Sequence, residues 1–445
     1  MRVPTIACLC WILALPISLT AAEIPAAARA MMLAREAATA AEAKDPATYL
    51  AKMEQAAALR PDFPRILVNL AAAQLASEKP DDALATLGRL AALGFNSPVD
   101  KSEDFAALRD GKEFKDVVKR LAANNHPAGK GEVAFALREV TGLIEGIAWR
   151  EATGDFYFGD VNGRAVWVRG TKEAKDGKPR RLTPEGDELL GVFGLAIDES
   201  RGALWAATSA VPAMRGFSFE MDGTAALAEI DLATGAIRRT IPVVRKPGDQ
   251  MSHVLGDLAL APDGSVFVTD SGAPNLWRLP AGGGALEPFA ESEELMSAQG
   301  IVVDAERGAL FVAAHANGLL RVDLRNGAVT RLETPPDTSL IGLDGLARAP
   351  DGALVGIQNG LRPNRVVRIA LDEAGESVAE VKVLEAAHLQ MAAPSLGCIA
   401  TGGEFFFVGN AGWTRFENTG AEPTAPRSVP VFKTKLPAPP KAPKR

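Results

Sequence analysis

One phrase, written six times, constrains this chain more than any other feature. After residue 131 a small residue is followed by an apolar pair, a turn and an apolar strand. The copies open with Glu145-Gly146-Ile147-Ala148, Phe193-Gly194-Leu195-Ala196, Gly256-Asp257-Leu258-Ala259, Gln299-Gly300-Ile301-Val302, Asp344-Gly345-Leu346-Ala347 and Leu396-Gly397-Cys398-Ile399. Turns such as Pro262-Asp263-Gly264 come next, then strands such as Val266-Phe267-Val268 and Phe405-Phe406-Phe407. The intervals of 48, 63, 43, 45 and 52 residues are near the length of one four-stranded blade. A mainly β chain with that period predicts a six-bladed β-propeller over residues 131–436. A β-sandwich also has many short strands but does not reuse one phrase at this interval. Two more strands, 133–140 and 429–436, flank the array. They are expected to share one blade and so remove the exposed edges of an open ring.

Residues 23–125 have a different texture, rich in Ala and Leu, and predict a small α-helical domain. Helical spacing runs from Ala47 to Leu59, from Ile66 to Ala76 and from Ala83 to Leu93, with Asp81 expected to cap the last and Gly94 to end it. The stretch Pro64 to Phe95 resembles one tetratricopeptide repeat, with Leu67, Leu70, Ala71, Ala83, Leu87 and Leu90 at the packing positions. It departs from that pattern at Gln74, where an aromatic is usual, and lacks a closing proline near Phe95. A lone repeat cannot bury its apolar faces, so helical neighbours or the propeller must cover it. It serves either as a stabilising cap or as a docking groove for a protein partner.

The termini and the composition set further bounds. Arg2, the apolar run Ile6 to Leu19 and the small residues Thr20, Ala21 and Ala22 read as a secretory signal peptide over 1–22. The apolar run is shorter than the roughly 20 residues that span a bilayer. The expectation is an exported protein, periplasmic or secreted, with no stable membrane insertion after signal cleavage. Cleavage would leave Cys398 as the sole cysteine, so core burial and strand pairing replace disulfides. The proline-rich residues 437–445 are expected to be disordered. The net charge of −7 and the absence of a basic patch argue against nucleic-acid binding.

In a propeller the innermost strands face the axis, so the first residue of each phrase should point into the central channel. That set is Glu145, Phe193, Gly256, Gln299, Asp344 and Leu396. Two carboxylates and an amide confined together repel, and a divalent cation with oxygen ligands would relieve that cost: Ca²⁺, or Mg²⁺ and Mn²⁺ with retained waters. Zn²⁺ stays on the list of ions to test. Asp160, Asp270, His315, Asn359 and Asn410 follow the second strands and either line a polar pocket or cap turns. His253 and His388 are expected at the channel mouth, and His126 falls in the linker. No Gly-x-Ser-x-Gly elbow, paired metalloprotease histidines or phosphate-cradling loop is present.

Between Glu145 and about Trp413 the chain resembles the gluconolactonase and regucalcin-like family, and more loosely the paraoxonase-type calcium propellers. The resemblance rests on Glu145 to Trp149, Asp257 to Gly264, Thr269-Asp270-Ser271 and Asp344-Gly345-Leu346. It implies that Glu145 and Asp344 hold the metal and that Gln299 stands in for a usual asparagine. Gly256 replaces another asparagine without supplying a ligand. The implied activity is metal-dependent hydrolysis of a lactone or related ester, with a small-molecule substrate. Asp257 is the expected base and His253 a second catalytic candidate. The alternative is a non-catalytic propeller that binds a ligand or protein with help from the helical domain.

Overall fold

The computed structural model describes residues 24–170, 175–186, 188–416 and 425–437. Residues 1–22, read above as a signal peptide, and residues 438–445 of the proline-rich tail lie outside them. Six four-stranded antiparallel sheets form the blades of a propeller. Their innermost strands are Ile144–Arg150, Gly191–Asp198, Leu255–Leu260, Ala298–Asp304, Leu343–Arg348 and Gly397–Ala400, each containing or abutting one copy of the phrase. Glu132–Val140 pairs antiparallel with Arg427–Lys435 at the outer edge of the sixth blade, with Val133 opposite Phe432 and Leu137 opposite Val429. The two flanking strands therefore close the ring.

The phrase does more than mark the blades. In five inner strands the register slips at the phrase itself, between Ile144 and Gly146, Val192 and Leu195, Leu255 and Leu258, Ala298 and Ile301, and Leu343 and Leu346. A bulge leaves residues unpaired and re-aims their side chains. Its glycine lets neighbouring blades touch: a Cβ on Gly146 would stand 2.0 Å from the Phe193 carbonyl oxygen, and one on Gly300 2.4 Å from the Leu346 nitrogen. The third blade inverts the order. There glycine comes first, at 256, and Asp257 takes the place that glycine holds elsewhere.

Among the described residues five α-helices precede the propeller: α1 (Ala26–Glu42), α2 (Pro46–Leu59), α3 (Pro64–Ala76), α4 (Pro80–Ala92) and α5 (Lys112–Ala123). Helix α4 begins earlier than its apolar spacing suggested, with Lys79 at the cap and Pro80 in the first turn. Asp81 lies inside that turn, where it favours the helix dipole without capping. The apolar faces of α3, α4 and α5 meet around Leu67, Leu87, Leu90, Phe105 and Phe114, and Leu361 of the propeller packs on the same cluster. The helices are thus covered both by one another and by the propeller. Among the described residues no helix is long and apolar enough to cross a membrane.

Candidate functional site

The five bulges turn their residues towards the hub, and the result is one open pocket of ≈ 280 Å³. All six phrase-opening residues line it. Glu145, Asp257 and Asp344, with Gln299, His315 and Asn359, make its lining acidic and polar. Phe193, Val211, Val254, Leu396 and Trp413 add apolar surface, with the Phe193 and Trp413 rings 6.2 Å apart and Glu145 flanked by the strand that holds Phe193 and the strand that follows Leu396. Among the described lining residues there is no lysine or arginine.

Each carboxyl group is held by neutral donors. The Trp413 indole Nε1 donates to Glu145 Oε2 at 2.7 Å. The Asn359 amide donates to Asp344 Oδ2 and, at 2.8 Å, to the Pro394 carbonyl, while His315 Nε2 lies 3.4 Å from Asn359 Oδ1. Asp257 accepts from the Ile301 N–H at 3.3 Å, and its own N–H donates to Thr269 Oγ1 at 2.9 Å. Thr269 in turn donates to the Gln299 carbonyl at 2.7 Å, tying the third inner strand to the fourth.

With no Lys or Arg in its described lining, burial dominates the titration of this cluster. Desolvation, then repulsion from Asp344, pushes Glu145 well above the usual carboxylate range; the Trp413 bond opposes this only in part. Burial and the charge of Asp344 raise Asp257 to about 7. Asp344 is raised by burial too, against the lowering effects of His315 and the Asn359 amide. Three carboxyl groups therefore share one confined space in which burial opposes their ionisation.

The histidines expected at the mouth do not face the pocket. His253 is buried, with Nδ1 2.6 Å from Asp270 Oδ2 and Nε2 2.9 Å from Asp249 Oδ2. Both ring nitrogens are engaged and the residue is absent from the lining, so it offers no free nitrogen for acid–base work there. His388 is likewise tied to Glu385 Oε2 at 2.8 Å, away from the lining. Of the five residues after the second strands, His315 and Asn359 reach the pocket and Asn410 does not. Asp160 and Asp270 are turn holders. Asp160 accepts from the N–H groups of Leu143 and Gly163 and from the Trp167 indole. Asp270 accepts from the N–H groups of Val254, Gly272 and Ala273 and from the Trp277 indole. Trp413 is the site residue that sequence reasoning missed. It opens a single 3₁₀ turn, Trp413–Arg415, and meets Glu145 only through ring closure.

The donor set decides what cation the pocket suits. The two carboxyl groups and the Gln299 amide offer oxygen donors, the type that hard cations take. They do not form a closed cage: among the described residues no three His, Cys, Asp or Glu side chains are placed to hold a metal together. Gly256 contributes only space, since a Cβ there would make ordinary contacts with Thr269 Oγ1 at 3.5 Å and Gln299 Oε1 at 3.9 Å.

Fold and site together define a six-bladed propeller with an acidic central pocket. No protein-family profile matches the chain, and no curated protein matches it. Solved structures similar to it include virginiamycin B lyase from Staphylococcus aureus, at 16% identity and a TM-score of 0.42, covering 62% of this chain and 81% of the lyase. A luciferin-regenerating enzyme matches at 14% identity and a TM-score of 0.46, covering 70% of this chain and 96% of that one. The PQQ-bound aldose sugar dehydrogenase from Streptomyces coelicolor matches at 16% and 0.46, covering 69% and 100%. The activities in those names belong to those proteins.

Proposed function

We propose that the central pocket is the site of a metal-dependent hydrolase acting on a lactone or related ester, as the resemblance to the gluconolactonase and regucalcin-like family implies. The observation that carries this reading is the set of three carboxyl groups, Glu145 and Asp344 buried and Asp257 half-buried, around one cavity whose described lining has no cationic Lys or Arg. Such a site takes up either protons or a cation. Glu145, Asp344 and Gln299 would hold the cation, of which Ca²⁺ suits the oxygen donors best. When bound, the ion supplies Lewis-acid polarisation of the ester carbonyl and stabilises the oxyanion. Asp257, raised to about 7, is suited to accept the proton of the attacking water near neutral pH. Water adds to the carbonyl carbon, the acyl carbon–oxygen bond breaks, and the departing alkoxide takes the proton that Asp257 accepted. Phe193 and Trp413 seat the apolar part of the substrate and limit the entry of further water.

A loosely completed oxygen site belongs where Ca²⁺ is abundant, since extracellular modules bind it with dissociation constants of about 10⁻⁴–10⁻³ M. This agrees with the export reading of residues 1–22. Calorimetry of the mature protein with Ca²⁺, Mg²⁺, Mn²⁺ and Zn²⁺, followed by a lactone and aryl-ester panel, tests the proposal. Saturable Ca²⁺ binding that Glu145→Gln abolishes is expected; a protein that binds none of the four ions ends it. The second reading, a non-catalytic ligand-binding propeller, draws on the missing third charged ligand and on Gly256. It wins if ions bind but no ester is cleaved.

A further inference from the structure

The helical unit touches the propeller at chosen places. Arg60, which ends α2, is fully buried, and its Nη1 donates to the Ala316 carbonyl at 3.0 Å. Its Nε and Nη2 grip Asp62 at 3.0 and 3.3 Å. A buried guanidinium is tolerable only when so paired, and its fork fixes direction as well as charge. Ala316 follows His315, a pocket residue. A second arginine works from the other side: Arg365 donates through Nη1 to the Leu93 carbonyl after α4 at 3.1 Å. Its Nε and Nη2 donate to Gln358 Oε1 at 3.1 and 2.8 Å, and its guanidinium lies 4.0 Å over the Phe95 ring. Gln358 precedes Asn359, the residue that holds Asp344.

The segments so gripped are also bound to each other. The Gly342 N–H donates to the His315 carbonyl at 2.7 Å, and the N–H groups of Asn359 and Gly360 donate to the Gly342 carbonyl at 3.1 and 3.3 Å. The Gln358 amide donates to the carbonyls of Ser339 and Ile341 at 3.0 and 2.9 Å. The His315 ring lies flush against Gly360, where an added Cβ would stand 2.4 Å from its Cε1. One step further, the Asn96 N–H donates to the Arg362 carbonyl at 2.8 Å, and Leu361 enters the helical core. A continuous network thus runs from the helices through three loops to the Asp344 carboxylate.

We propose that the helical unit positions one wall of the pocket: by gripping the loops that carry His315 and Asn359 it sets the orientation of Asp344, and a change in its seating changes cation binding. The cation part rests on the reading of the pocket given above; the positioning part does not. Ordinary interdomain packing would be content with contacts to outer strands, whereas these hydrogen bonds fall on residues next in sequence to the pocket lining. Arg60 and Arg365 are positioning residues, distant from substrate.

The test uses the full mature chain and two readouts. Hydrogen exchange is followed by mass spectrometry in the segments 314–318, 339–343 and 358–362, and Ca²⁺ binding is followed by calorimetry. Arg60→Gln should accelerate exchange in those three segments while leaving the hub loops of the first three blades unchanged. It should also raise the Ca²⁺ dissociation constant about fivefold or more, the usual scale of coupling between sites. Arg60→Lys, which keeps the charge but loses the fork, should fall between variant and wild type. Should Arg60→Gln fail to fold, Leu361→Ala weakens the same contact from the propeller side and should give the same exchange pattern. Wild-type exchange in the three segments of a folded variant overturns the proposal. If wild-type protein binds no Ca²⁺, the cation reading fails, and the exchange arm alone decides whether the helices hold the loops.

Discussion

Two groups of buried carboxyl side chains in the same propeller are treated in opposite ways. Asp160 and Asp270 are saturated. Asp270 alone accepts from three backbone N–H groups, the Trp277 indole and the His253 ring. Glu145 receives one side-chain hydrogen bond among the described residues, from Trp413, and Asp344 is met by the single amide of Asn359. Burial without donors is costly, so a protein does not leave acids in that condition for the sake of packing. The first pair holds loops together, and the second group keeps ligand capacity in reserve. Identical chemistry serves structure or function according to how many N–H groups converge on it.

The sharpest way to break this contrast is to mutate both kinds of acid and compare signs. Asp270→Ala strands five donors and should cost about 4 kcal/mol in urea unfolding, the scale of a broken buried network. Glu145→Gln relieves repulsion while the amide oxygen still accepts from Trp413, so metal-free protein should hold its stability or gain about 1 kcal/mol. Two losses of equal size would erase the distinction.

A pH series sharpens it next. The folded carboxyl of Asp257 sits at about 7 against an ordinary value of 3.8, so the unfolded chain ionises first as pH rises. Between those values the folded state binds the extra proton. The contribution of Asp257 to stability should therefore fall as pH climbs from 4 to 7, by up to about 4 kcal/mol, and level off above. Asp257→Asn should flatten that decline when unfolding free energy is measured across the range.

Cation addition is the third lever. At pH 7.5, Ca²⁺ at a hundredfold its dissociation constant should stabilise the wild type by about 2.7 kcal/mol and leave Glu145→Gln unmoved. The smallest effect concerns Gly256. A side chain there meets only ordinary contacts, so Gly256→Asn should fold normally. Its added carbonyl oxygen should strengthen Ca²⁺ binding about tenfold, or about 1.4 kcal/mol, by calorimetry. Unchanged affinity would place the cation elsewhere in the channel.

Blade number, ring closure and the six hub-facing positions were all legible before any coordinates, because a strand's period and a repeat's spacing are local properties of the chain. Glu145 and Asp344 could be named for the same reason. The consequence of each position was not legible. His253 looked available in sequence, yet Asp249 and Asp270 occupy both its nitrogens in space. Trp413 reaches Glu145 across 268 residues, and Arg60 reaches Ala316 across 256. A residue's type and its direction are written along the chain. Whether its oxygens are already satisfied is decided by donors that only closure of the ring and docking of the helices bring near.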